Sequence, residues 1–69
     1  MFVSELQGHV YGNVCIYILA DNESVFKNLY KGDFIEIPEN LLKRKVMYLG
    51  CGVEDVLDIR VLKEKEDIG

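Results

Sequence analysis

The chain has 69 residues, of which 49% are hydrophobic and 29% are charged, and its formal net charge is −4. A chain of this length forms one domain, close to the lower size limit for a self-sufficient core. Its apolar content excludes a disordered chain, and its acidic balance excludes non-specific nucleic-acid binding, which requires a basic surface. Self-association is favoured, because so small a core supplies little net stability.

The ends and the cysteines indicate the compartment. Residues 1–6 lack the basic region and apolar run of a signal peptide, and no apolar segment reaches the ~20 residues that span a bilayer. The two cysteines, Cys15 and Cys51, match no zinc-ligand spacing and form no Cys-x-x-Cys motif. The sequence therefore predicts a cytoplasmic protein with reduced thiols, no metal and no cofactor.

The chain predicts a compact domain over residues 1–62, followed by a charged tail over residues 63–69. Within the domain, residues 2–6 predict a short edge strand or an arm packed on the core. Residues 14–20 are uncharged and apolar on both sides of an extended strand. That pattern is typical of a central strand that is covered on both faces or buried at a subunit contact.

The segment 25–32 fits two structures. As a helix, it has Asn22 as its N-cap and Gly32 just past its end. As a strand, it would be the return arm of a hairpin from residues 14–20, turning through residues 21–24. The cap signals favour the helix.

The second half of the domain alternates strands with one helical segment. Residues 34–37 predict a strand that stops at Pro38, and residues 38–44 predict one or two helical turns, because proline loses no hydrogen bond at a first helical position. Residues 46–49 and 56–62 predict two strands paired as a hairpin. The fold class is therefore α+β, a small antiparallel sheet of three to five strands with one or two short helices. The predicted core consists of Val14, Ile16, Ile18, Leu19, Ile37, Leu41, Val46, Tyr48, Leu57, Ile59 and Val61.

Catalytic chemistry is only weakly indicated. Cys51 lies between two glycines, and His9 is the only histidine that could act as its base, with Asp55 or Asn13 orienting the ring. The spacing of these residues carries no known catalytic signature. We therefore favour a structural role for Cys51, as a small, partly buried apolar residue.

Other local clusters also have simple interpretations. The carboxylates of Glu54, Asp55 and Asp58 lack the alternating oxygen ligands and the glycine of a calcium loop, and are typical of a solvated acidic edge. The basic cluster at residues 43–45 is too small for nucleic-acid affinity and fits a solvated helix end.

Acidic loops and aromatic residues favour a role in binding. Acidic residues concentrate in residues 21–39 and 54–67. If these loops share one rim, they form an acidic patch that attracts a basic partner and can occupy a groove built for phosphates. Tyrosines anchor interfaces well, because the ring buries area while the hydroxyl stays hydrogen-bonded. The predicted protein-binding residues are Glu54, Asp55, Asp58, Asp33, Glu36, Tyr30 and Phe34.

In size, charge and lack of a catalytic motif, the chain resembles the small inhibitor and adaptor proteins of phages and other mobile elements, including anti-CRISPR and related anti-defence proteins. The resemblance is one of class and rests on no motif. The acidic loops and aromatic residues predict a non-enzymatic interaction module, an inhibitor or adaptor that binds a basic protein surface, such as that of a nucleic-acid-binding protein, and contacts neither nucleic acid nor membrane. The alternatives are a homodimer or self-assembling structural subunit, and a thiol enzyme based on Cys51 and His9.

Overall fold

Four β-strands form one sheet in the computed structural model, which describes residues 1–19, 25–52 and 55–64. Their order across the sheet is β2-β1-β4-β3. The strands are β1 (Asn13–Leu19), β2 (Phe26–Asp33), β3 (Val46–Cys51) and β4 (Leu57–Val61). A small sheet and short helical pieces are consistent with the predicted α+β class.

The central position predicted for the first long strand is confirmed, because β1 pairs with β2 on one side and with β4 on the other. The prediction of an antiparallel sheet is wrong for one pair: β1 and β4 run parallel. Parallel neighbours require a crossover. Residues 34–45 supply it by carrying the chain from the end of β2 to the far end of the sheet. The predicted hairpin of β3 and β4 then returns antiparallel.

The preferred helix over residues 25–32 is wrong, and the alternative hairpin arm is correct. Leu19 pairs with Phe26, and the rings of Tyr17 and Phe26 meet edge to face at 5.1 Å. Pairing with a long apolar neighbour outweighs local cap signals, which stabilise a helix by only about 1 kcal/mol. The predicted turn at residues 21–24 lies outside the described residues.

A bulge in β2 changes which side chains face the core. The register passes from the Ile16–Tyr30 pair to the Tyr17–Asn28 pair, so that Leu29 is an extra residue. Leu29 and Tyr30 both pack against the core. A regular strand would alternate them between the two faces, whereas a bulge locally breaks that alternation.

Three short helical pieces supply the layer over one face of the sheet. They are a first 3₁₀ helix (Val3–Leu6), a second 3₁₀ helix (Phe34–Glu36) and α1 (Glu39–Leu42). Residues 2–6 thus form the predicted arm, and the predicted turns near Pro38 are confirmed. The predicted strand at residues 34–37 is wrong, because the Asp33 carboxylate accepts the backbone N–H of Ile35 at 3.1 Å and starts a 3₁₀ turn.

The core lies between this layer and the sheet. Tyr48 was predicted there but is 52% exposed, and Leu19 is only partly buried. Tyr48 pairs with Arg60 on the opposite face, where its ring centre lies 5.5 Å from the guanidinium carbon. Val46 and Leu57 pack on the core while partly exposed. The buried core residues are Val3, Leu6, Val14, Ile16, Ile18, Phe34, Ile37, Leu41, Ile59 and Val61.

Arg44 corrects the prediction of a solvated basic cluster, because it is only 3% exposed. Its Nη1 donates to the carbonyl of Leu62 at 3.2 Å, and its Nε lies 3.6 Å from a carboxylate oxygen of Glu64. These contacts hold residues 62–64 against the start of β3. The boundary at residue 62 stays a prediction, since residues 65–69 lie outside the described part. None of the described helices is long and apolar enough to cross a membrane.

Replacing Ile16, which is fully buried in the central strand, tests this packing. We expect Ile16→Ala to lower the free energy of unfolding by about 2–5 kcal/mol, because it leaves a cavity in the core. The matched change Ile35→Ala removes a side chain that is 80% exposed, and should alter stability by less than about 0.5 kcal/mol. Urea denaturation measures both values. Equal losses would contradict the described core.

Candidate functional site

The strand register brings separate segments to one end of the sheet. β1 begins there, opposite the end of β2, because Asn13 pairs with Asp33. β4 begins there too, since Leu57 pairs with both Val14 and Cys51, the last residue of β3. Neighbouring strands lie about 4.8 Å apart, so these chain ends fall within about 10 Å of the first residues of β1.

Four of the predicted binding carboxylates lie at this end, and we call them the acidic end: Asp33, Glu36, Asp55 and Asp58. Glu36 and Asp55 are exposed, whereas Asp33 and Asp58 are partly buried. Asp55 has a φ of 61°, a left-handed conformation that aspartate tolerates better than most residues. The predicted binding residue Glu54 lies outside the described residues. The acidic end therefore combines two segments, residues 33–36 and 55–58, that are far apart in sequence.

Tyr30, another of the predicted binding residues, lies beside these carboxylates. Its hydroxyl donates to the backbone carbonyl of Asp33 at 2.7 Å. Partial burial raises the pKa of Tyr30, and the negative charges of Glu36 and Asp33 raise it further. The hydroxyl thus stays protonated and bonds to Asp33, the last residue of β2 and the N-cap of the second 3₁₀ helix.

Phe34 does not present its ring to a partner. Its side chain is 4% exposed and belongs to the core. The Asp33 cap turns the chain at this point, and Phe34 begins the second 3₁₀ helix over the sheet. The prediction of Phe34 as an exposed binding residue is therefore corrected, because its burial leaves no accessible ring.

An open pocket of about 630 Å³ lies at the acidic end. Lys31, Cys15 and Asp58 form a row across three adjacent strands of its wall, since Cys15 pairs with Lys31 on β2 and with Asp58 on β4. Cys51 and Gly52 line the pocket where β3 ends. The row places one carboxylate and one ammonium group at opposite sides of a thiol.

Gly52 allows Asp58 to sit close to the backbone. A Cβ at Gly52 would lie 2.8 Å from Oδ1 of Asp58 and 2.6 Å from the carbonyl oxygen of Val56. The Gly52 N–H also donates to that carbonyl at 2.7 Å. Only glycine fits this close approach. Sequence reasoning missed Gly52 and Lys31 as site residues, because the register alone brings them to the pocket.

The two thiols occupy different environments. Cys15 is partly buried, and its Sγ lies 3.5 Å from the side-chain oxygen of Asn28. Burial raises the pKa of the Cys15 thiol; Asp58 raises it as well, while Lys31 lowers it. Cys51 is exposed.

The structure does not assemble a thiol–histidine pair. His9 shares no hydrogen bond with Cys51, although both belong to the described residues, and it does not line the pocket. Among described residues, no group of three or more His, Cys, Asp or Glu could hold a metal ion.

Comparison with known proteins finds no matching family model, no matching curated protein and no matching solved structure. The functional argument therefore depends on the geometry of the described residues.

Substituting Gly52 tests its close contact with Asp58. We expect Gly52→Ala to destabilise the protein by about 1–3 kcal/mol, since its Cβ would meet a backbone carbonyl that cannot move alone. Gly50→Ala is the matched control. Its Cβ would meet the ring of Tyr48, which is 52% exposed and can rotate away. Urea denaturation should show the larger loss for Gly52→Ala; the reverse order would contradict the described contact.

The thiol environments predict an order of alkylation. Cys51 should react with iodoacetamide before Cys15 near neutral pH, because Cys51 is exposed while the raised pKa of Cys15 keeps that thiol protonated. Asp58→Asn removes a charge that opposes the thiolate, so Cys15 should react faster in that variant and at a lower pH. Peptide mass spectrometry measures both rates. An unchanged Cys15 rate in Asp58→Asn would contradict the electrostatic role of Asp58.

Proposed function

We propose that the protein is a non-enzymatic interaction module that binds a basic protein surface through its acidic end. The observation that carries this proposal is the gathering of Asp33, Glu36, Asp55 and Asp58 at one end of the sheet. Carboxylates from separate segments, held on one sheet, create a negative electrostatic field of fixed position. Such a field steers a positively charged partner and orients it on contact.

The pocket supports a specific mode of contact. Asp58 at its wall accepts hydrogen bonds from a lysine or arginine of the partner that enters the open space. Charge-assisted hydrogen bonds of this kind are roughly twice as strong as neutral ones. Lys31 lies on the opposite side of Cys15 from Asp58. It favours a partner in which an acidic side chain lies beside the basic one.

The class of partner follows from the same charge pattern. An acidic surface competes with phosphates for a basic groove, so we propose a nucleic-acid-binding protein as the target and an inhibitor or adaptor as the role. This proposal extends the resemblance in size and charge to phage anti-defence proteins. It places the protein in the cytoplasm, where both thiols remain reduced.

Titration with a basic probe tests the proposal. We expect a synthetic Lys/Arg-rich peptide to shift the backbone amide signals of the acidic end saturably in NMR spectra. The triple variant Asp33→Asn/Glu36→Gln/Asp55→Asn should weaken binding at least about 10-fold, since each exposed charge pair contributes up to about 1 kcal/mol. Asparagine preserves the cap at residue 33 and tolerates the left-handed conformation at residue 55.

Glu5→Gln is the matched control, because Glu5 is exposed and belongs to the arm that meets the opposite end of the sheet, where Phe2 bridges to Lys45. Glutamine keeps the acceptor for the Phe2 N–H that Glu5 now provides. Binding should also fall between about 0.1 and 1 M salt, as the Debye length shrinks from about 10 to 3 Å. Equal affinity of the triple variant and the wild type would overturn the proposal.

A further inference from the structure

The face of the sheet opposite the core carries a continuous set of partly or largely exposed side chains. On β1, Val14, Ile16 and Ile18 point into the core, so Cys15 and Tyr17 alternate onto the other face. The register aligns Asp58 with Cys15 and Arg60 with Tyr17. We call this surface the open face; it includes Cys15, Tyr17, Leu19, Phe26, Tyr48, Asp58 and Arg60.

No described residue forms a layer over the open face. The molecule measures 32 × 25 × 18 Å along its principal axes. The smallest dimension accommodates a sheet and one covering layer, because packed layers are about 10 Å apart. Phe26 is 59% exposed and Tyr48 is 52% exposed. Aromatic side chains that remain exposed beside a paired charge are typical of the centre of an interface.

Two charges near the middle of the open face, those of Asp58 and Arg60, are self-complementary. Asp58 and Arg60 are two residues apart on β4 and flank Ile59, which is fully buried on the other side. They are both partly buried and carry opposite signs. The two charges exchange positions about a two-fold axis that lies in the plane of the face and crosses the strands. This axis passes midway between Asp58 and Arg60. Two-fold interfaces require this kind of self-complementarity.

We propose that a second copy of this chain covers the open face, with Asp58 of each copy paired to Arg60 of the other. The axis keeps the strands of the two sheets antiparallel and nearly aligned, as in ordinary sheet-on-sheet packing. Tyr17, next to Arg60 in the register, then lies near the centre of the contact. Glu36 and Asp55 of the two copies then lie at opposite ends of the dimer.

The available area suits a specific dimer. A standard interface buries about 800 Å² per partner, roughly one sixth of the 4858 Å² surface of this chain. The two longer dimensions of the molecule, 32 and 25 Å, enclose a face of about that size. A second copy on the open face buries further side chains. This burial stabilises a domain whose small size leaves its single core only marginally stable.

Sedimentation velocity tests the dimer on the whole chain. We expect the mass to approach twice the 7.9 kDa of the chain as its concentration rises from about 5 to about 500 μM. Arg60→Asp and Asp58→Arg each place like charges across the axis and should weaken dimerisation by on the order of 100-fold. Ile35→Ser, at a site that is 80% exposed on the second 3₁₀ helix, is the apolar control for Tyr48→Ser. Only Tyr48→Ser should weaken the dimer.

Mixing the two charge variants gives the decisive measurement. An Arg60→Asp chain and an Asp58→Arg chain should each remain monomeric alone and form a heterodimer together, since every charge across the axis is then opposite. Circular dichroism of each variant before mixing verifies that it is folded. For a variant that fails to fold, Tyr48→Ser against Ile35→Ser supplies the test.

A chain that stays monomeric at every concentration would overturn the inference, and so would a mixture in which the folded charge variants do not associate. If the Lys/Arg-rich peptide then shifted the amides of the open face, this surface would belong to a heterologous partner. Asp58 is common to the dimer and the proposed function, so the two are compared in Arg60→Asp and Tyr48→Ser, which leave all four carboxylates of the acidic end in place. Loss of dimerisation with intact peptide binding separates the two.

Discussion

The parallel pairing of β1 with β4 is the constraint on which the rest of the structure depends. It aligns Ile16 with Ile59, both fully buried, at the centre of the sheet. Burial of such pairs contributes most of the stability of a small domain. Because β1 bonds to a strand on each side, its backbone offers no free edge for polymerisation. An assembly of this chain must therefore use a face or an outer strand.

The same register produces both proposed surfaces. With Asn13 opposite Asp33 and Val14 opposite Leu57, the acidic end forms where two strands begin and two end. The strand period of two places Asp58 and Arg60 on one face, and Ile59 on the other. A shift of the β4 register by one residue would bury those charges and expose Ile59. Core packing and surface chemistry are therefore fixed together.

Arg44 shows how the covering layer is held on the sheet. A buried guanidinium is costly unless hydrogen-bonded and paired, and here the carbonyl of Leu62 and the carboxylate of Glu64 meet it. These groups follow β4, so the pairing connects the layer to the last part of the described chain. The arm adds to it, because the Val3 N–H donates to the carbonyl of Arg44 at 2.9 Å.

The sequence by itself determined the strands with strong patterns and most of their core, because the apolar run over residues 14–19 and the apolar alternation over residues 57–61 are local properties that burial preserves. It also identified Asp33, Glu36, Asp55 and Asp58 as candidate binding carboxylates. Only the tertiary structure decided that residues 26–33 form a strand and that Phe34 is buried, because pairing with β1 and the Asp33 turn outweigh local propensity. The sheet order likewise required the fold, since the crossover after β2 sets the direction of β4 and thereby brings Lys31, Cys15 and Asp58 into one row.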